Sequence, residues 1–88
     1  MRTNFFGESI ATPEDTVDEL MDAWPDFTPD RAEIFSEPDG TFLYGGEAID
    51  SDADERRTFD GFNSLDEART FAVEILGIPA HAIEEMVG

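Results

Sequence analysis

Twenty-two aspartates and glutamates stand against five arginines and no lysine in 88 residues, so whatever this chain folds into must keep a net charge of −17 in contact with water. A buried carboxylate is tolerated only when paired or hydrogen-bonded, which limits the apolar interior to one small core. A chain of this length makes a single domain, residues 1–88, and folding hides only about 60 to 65% of the surface of the extended chain. Eight phenylalanines, one tryptophan and one tyrosine in a 40% hydrophobic composition supply such a core. They also set the chain apart from a disordered acidic tail.

The same charge restricts partners. Nucleic-acid binding requires cations that displace counterions from phosphates, and the only cations here are Arg2, Arg31, Arg56, Arg57 and Arg69, scattered among carboxylates. An anionic membrane repels such a surface as well. The complement is a basic protein surface, where opposite potentials speed encounter and select the partner. Neither a bilayer-length apolar run nor a signal-peptide pattern at Met1 to Ile10 is present, so the expected location is cytoplasmic.

Helix signals begin at Thr12-Pro13-Glu14-Asp15, where Thr can cap, Pro suits the first helical position and two carboxylates meet the positive end of the dipole. Val17, Leu20, Met21 and Trp24 follow as one apolar stripe, and Pro25 ends the helix. Ala32 to Glu37 reads as a strand, Glu37-Pro38-Asp39-Gly40-Thr41 as a hairpin turn and Thr41 to Tyr44 as the return strand. Gly45-Gly46 either bulges that strand before Glu47-Ala48-Ile49 or turns it early. Asp50 to Glu55 forms an acidic loop and Arg56 to Phe62 the third strand.

Ser64 and Glu67 make a capping box for a helix whose apolar face is Leu65, Ala68, Phe71, Ala72, Ile75 and Leu76, and Gly77 stops it. Pro79 opens a short last helix carrying Ile83, Met86 and Val87. The expected fold is therefore α+β: a three-stranded antiparallel meander with an N-terminal helix and one long plus one short C-terminal helix, in the order α-β-β-β-α-α.

No residue pattern supports catalysis or a cofactor. Asp50-Ser51-Asp52-Ala53-Asp54 spaces carboxylates as a calcium loop does, but its sixth position is Glu55 instead of Gly and its twelfth is Gly61 instead of Glu. His81 is the sole histidine in a chain without cysteine, so an ordinary zinc site cannot form. Ser9, Ser36, Ser51 and Ser64 lack a His and carboxylate constellation. The expectation is a protein that is not an enzyme and holds no metal.

The first helix carries the most functional content. Glu14, Asp15, Asp18, Glu19 and Asp22 fall at i, i+1, i+4, i+5 and i+8, two adjacent rows opposite the apolar stripe. At about 1.5 Å per residue they extend over about 12 Å, close in charge spacing to the roughly 3.4 Å of one DNA strand. Like-charge i, i+4 pairs cost about 0.2 to 0.5 kcal/mol each, and packing alone gives no reason for them.

In size, charge and carboxylate rows the chain resembles the small acidic proteins of phages and mobile elements that mimic DNA, including anti-CRISPR and anti-restriction proteins. That resemblance implies that Glu14, Asp15, Asp18, Glu19 and Asp22, with Asp50, Asp52 and Asp54, stand in for phosphates. They would block a basic groove on a CRISPR surveillance complex or another DNA-binding defence protein, in the host cytoplasm if the chain is phage-encoded. The rival reading is a cytosolic domain from a halophilic organism. In that case the acidic coat holds hydration in concentrated salt, as zero Lys beside widely spread Asp and Glu would suit.

Overall fold

The computed structural model describes residues 2–3, 5–36 and 44–86. The expected turn at 37–41, the start of the return strand at 41–43 and Val87 lie outside the described residues.

Among the described residues two sheets and two helices build the fold, not one three-stranded meander. A short antiparallel hairpin, β1 (Arg2–Thr3) and β2 (Ser9–Ile10), precedes α1 (Val17–Ala23). The main sheet contains β3 (Arg31–Ser36), β4 (Tyr44–Asp50) and β5 (Glu55–Phe62), all antiparallel, and α2 (Leu65–Glu74) packs across all three strands. A fourth strand, β6 (Ile83–Glu85), runs parallel to β3, giving the order β5-β4-β3-β6.

The last element corrects the expected C-terminal helix. Pro79 opens only one 3-10 turn, Ala80–Ala82, after which Ile83 is extended at φ −97° and ψ 120°. Ile83 pairs with Ala32, and the Met86 N–H donates to the Ile34 carbonyl at 2.7 Å, so the segment covers an edge of β3 that would otherwise expose its polar backbone. β2 plays a matching part at the opposite edge, where Ala11 continues parallel to β5 through Ala11 N–H to the Thr58 carbonyl and Asp60 N–H to the Ala11 carbonyl, both 3.0 Å.

The start of α1 is also corrected, from Thr12 to Thr16. Residues 12–15 form a turn in which the Asp15 N–H donates to the Thr12 carbonyl and the Thr12 N–H donates back to the Asp15 carboxylate at 2.9 Å. A local side-chain to backbone bond of this kind competes with helix propagation. Thr16 then caps the helix, its Oγ1 accepting from the Glu19 N–H at 3.3 Å. In α2 the Ser64 hydroxyl accepts from the Glu67 N–H at 3.1 Å, as the capping box predicts. The Glu67 carboxylate reaches one residue further back, to the Asn63 N–H at 3.2 Å.

Helices and sheet enclose one core, in which Phe59, Phe62 and Phe71 form an aromatic triangle with ring centroids 4.9 to 6.1 Å apart. Ala32, Ile34 and Ala48 supply the sheet side, while Leu20 and Trp24 enter from α1. Gly45-Gly46 neither turns its strand early nor bulges it: β4 runs on through both glycines, and the irregularity lies in the facing strand. Between Tyr44 and Gly46 the strand advances two residues while its partner β5 advances three, from Phe62 to Phe59. The extra β5 residue is accommodated where Gly61 holds φ +88°.

Candidate functional site

The carboxylates expected to form one surface divide into two sorts. Asp15 is 4% exposed and closes the turn before α1, while Glu14 lies exposed in that turn, off the helix. Only Asp18, Glu19 and Asp22 stand exposed on α1, which shortens the helical row from about 12 Å to about 6 Å.

Asp50 has likewise been drawn inward, to 3% exposure. Its Oδ2 accepts from the Thr28 N–H and hydroxyl, both at 3.1 Å, and its Oδ1 accepts from the Ala53 N–H at 3.3 Å. Asp30 answers from the other side, its Oδ1 accepting from the Ser51 N–H at 2.8 Å. These two carboxylates clamp the connection after α1 to the β4–β5 turn. Their pKa values fall below the usual carboxylate value, that of Asp50 foremost through the Thr28 N–H and that of Asp30 foremost through the Ser51 N–H.

Asp50 is thus a structural anchor, and Asp52 and Asp54 remain exposed in the turn, Asp54 at φ 53°. Among the described residues no group of three or more metal-ligating side chains is assembled. His81 is exposed in the 3-10 turn. No helix among them is long and apolar enough to cross a membrane.

Arginine placement, which the sequence alone did not reveal, segregates the charge. Arg56 bridges Glu33 and Glu47 at 3.3 and 2.9 Å, two residues that face each other across β3 and β4. Arg2 pairs with Asp60, Arg57 with Glu55 at 3.6 Å, and Arg69 reaches from α2 to Glu85 at 2.8 Å. Every carboxylate in these pairs belongs to the main sheet. By contrast Asp18, Glu19, Asp22, Asp26, Asp66 and Glu74, on or beside the helices, have no arginine partner among the described residues. The helical layer thus carries these unpaired carboxylates beside two cations, Arg69 on α2 and Arg57 over the Trp24 and Phe27 rings.

That layer is also grooved. A concavity of about 380 Å³ runs along α2, with Pro13, Phe62, Phe71 and Ile75 as its apolar lining. A second, of about 330 Å³, lies where α1 meets the end of α2 and shares Glu74 and Ile75 with the first. Val17 and Met21, expected in the core from their stripe with Leu20 and Trp24, are 42% and 64% exposed here because seven helical residues leave the groove partly uncovered. The stripe itself was the available signal. Phe5 and Phe6, in the β1–β2 connection, are 96% and 82% exposed.

Comparison of the chain with family models, with curated proteins and with solved structures finds no match in any of the three, so the reading of this surface rests on its own chemistry.

Proposed function

We propose that this chain is an acidic DNA-mimicking inhibitor that binds the basic nucleic-acid-binding groove of a host defence complex, of the anti-CRISPR or anti-restriction kind, and blocks access of DNA. The observation that supports this most is the row on α1: the arginines of the described residues pair with sheet carboxylates and leave Asp18, Glu19 and Asp22 exposed and without an arginine partner. Unpaired carboxylates in a row on one helix steer a basic partner to that helix. Asp18, Glu19 and Asp22 on α1, with Asp66 and Glu74 on α2, would take the place of phosphates, and Asp15 and Asp50 leave the contact set.

Displacement of fluorescent duplex DNA from a panel of CRISPR surveillance complexes and restriction enzymes tests this directly. The wild-type chain displaces DNA from its target, Asp18→Lys/Glu19→Lys/Asp22→Lys does so at least tenfold less well, and Glu33→Gln/Glu47→Gln retains the activity. Equal displacement by the triple-Lys variant overturns the reading.

One observation favours salt adaptation instead: exposed acids also occupy the β4–β5 turn at Asp52 and Asp54 and the sheet edge at Glu84, in a chain without lysine. Denaturant titration in KCl from about 0.1 M, where the Debye length is about 10 Å, to multimolar decides between the two. A chain that folds only in concentrated salt is a halophilic domain, and one stable at low salt carries its charge for a partner.

A further inference from the structure

We infer that the paired concavities beside α2 form a docking groove for a cationic amphipathic protein segment, one that sets apolar side chains into the groove and Lys or Arg against its rim. This goes beyond electrostatic mimicry, because DNA-like recognition needs carboxylates alone and makes no use of an apolar floor. The floor is contiguous: Ile75 and Glu74 line both concavities, with Phe62 and Phe71 beneath one and Leu20 and Trp24 beneath the other.

Charge complementarity selects the occupant. Among the described residues the charged ones lining the two concavities are Asp66, Glu67 and Glu74, with no cation beside them in the lining. Asp66 and Glu74 have no arginine partner among the described residues, and Glu67 has one oxygen engaged by the Asn63 N–H. Met21, flexible and 64% exposed at the lip, suits a surface that adapts to the apolar side chains of a helix. A second copy of the chain, for instance inserting its Phe5-Phe6 tip, would bring another net charge of −17 against this rim.

Isothermal titration of the whole protein with two synthetic 14-residue peptides of equal charge, an amphipathic Leu/Lys helix and a Lys/Gly peptide without apolar residues, tests the assignment. The amphipathic peptide is expected to bind at least tenfold more tightly. Met21→Glu provides the decisive sign: it adds negative charge, so attraction by charge alone predicts tighter binding of both peptides. An apolar groove instead predicts at least a fivefold loss for the amphipathic peptide and none for the Lys/Gly peptide.

Thr70→Glu, exposed on the lining of the other concavity, is expected to act in the same direction. Equal affinities for the two peptides, or tighter amphipathic binding by Met21→Glu, overturn the proposal. So does a sedimentation mass that doubles with protein concentration and returns to monomer in Phe5→Ser/Phe6→Ser, because the groove is then filled by a second copy. The triple-Lys variant on α1 reports on DNA displacement separately, so failure of one reading leaves the other distinguishable.

Discussion

Replacing Gly46 by alanine probes the main sheet at its tightest point. A Cβ built on Gly46 would lie 1.9 Å from the Glu33 carbonyl oxygen and 2.9 Å from its carbon, both backbone atoms of the paired strand. Carbon and carbonyl oxygen approach no closer than about 3.3 Å in ordinary sheet contacts, so β3 and β4 must part by about 1.4 Å. The β3–β4 hydrogen bonds beside the Ile34–Gly46 pair cannot stretch that far and hold. Overpacking costs about 1 to 3 kcal/mol and a lost net hydrogen bond about 1 kcal/mol. Against this, Gly→Ala stabilises by about 0.4 to 1 kcal/mol through the unfolded chain where the native backbone suits alanine.

The balance is a loss of about 1 to 3.5 kcal/mol, from a total of roughly 4 to 13 kcal/mol at about 0.05 to 0.15 kcal/mol per residue. In thermal unfolding followed by circular dichroism the midpoint should fall by roughly 4 to 28 °C, at about 4 to 8 °C per kcal/mol. A urea titration should show a lower midpoint with an unchanged slope. The sign is the test. If Gly46→Ala is as stable as the parent or more so, no backbone faces that position, and the register pairing Ile34 with Gly46 is refuted.

Phe71→Ala, which removes one ring of the aromatic triangle, should lose about 3 to 5 kcal/mol and leave little or no cooperative unfolding transition; a transition within 1 kcal/mol of the parent contradicts the packing. Ser64→Ala should lose about 1 kcal/mol, read as a modest urea-midpoint shift, since it orphans the Glu67 N–H at the start of α2. Arg56→Gln leaves Glu33 and Glu47 facing each other unneutralised, so it should destabilise at low salt and recover as salt is added; a salt-independent loss argues against the bridge. For the Asp30 and Asp50 clamp, native pKa values below the unfolded ones mean stability present above about pH 4 and lost as pH falls through the lower native values. The stability difference between wild type and Asp30→Asn/Asp50→Asn should therefore be constant from about pH 5 to 7 and shrink below about pH 4, with general charge repulsion largely cancelling in the comparison; a pH-independent difference removes the clamp.

Local signals with short-range physics were legible in the sequence. Ser64 and Glu67 mark the start of α2, and Ala68, Phe71 and Ala72 are its buried face, because caps and helical periodicity act within one or two turns. β3, the Glu47–Ile49 stretch and β5 were legible for the same reason, as was the acidic loop between the last two. Thr12 misled because the Thr-Pro-Glu-Asp signature fits both a helix start and a turn closed by Asp15, and only the pairing of Ala11 with β5 selects the turn.

What the chain alone determined is therefore its α+β character, its single aromatic core and the sign of its surface. Tertiary structure decided the rest. Ile83 to Glu85 became a strand because the edge of β3 needed a backbone partner some fifty residues away in the chain, a demand that no local propensity records. The division of carboxylates into anchors such as Asp15 and Asp50, arginine-paired residues on the sheet and unpaired residues over an apolar groove is equally non-local. An Asp has the same charge in every sequence context; whether it faces a backbone N–H, a guanidinium or water depends on which distant segments the fold brings beside it.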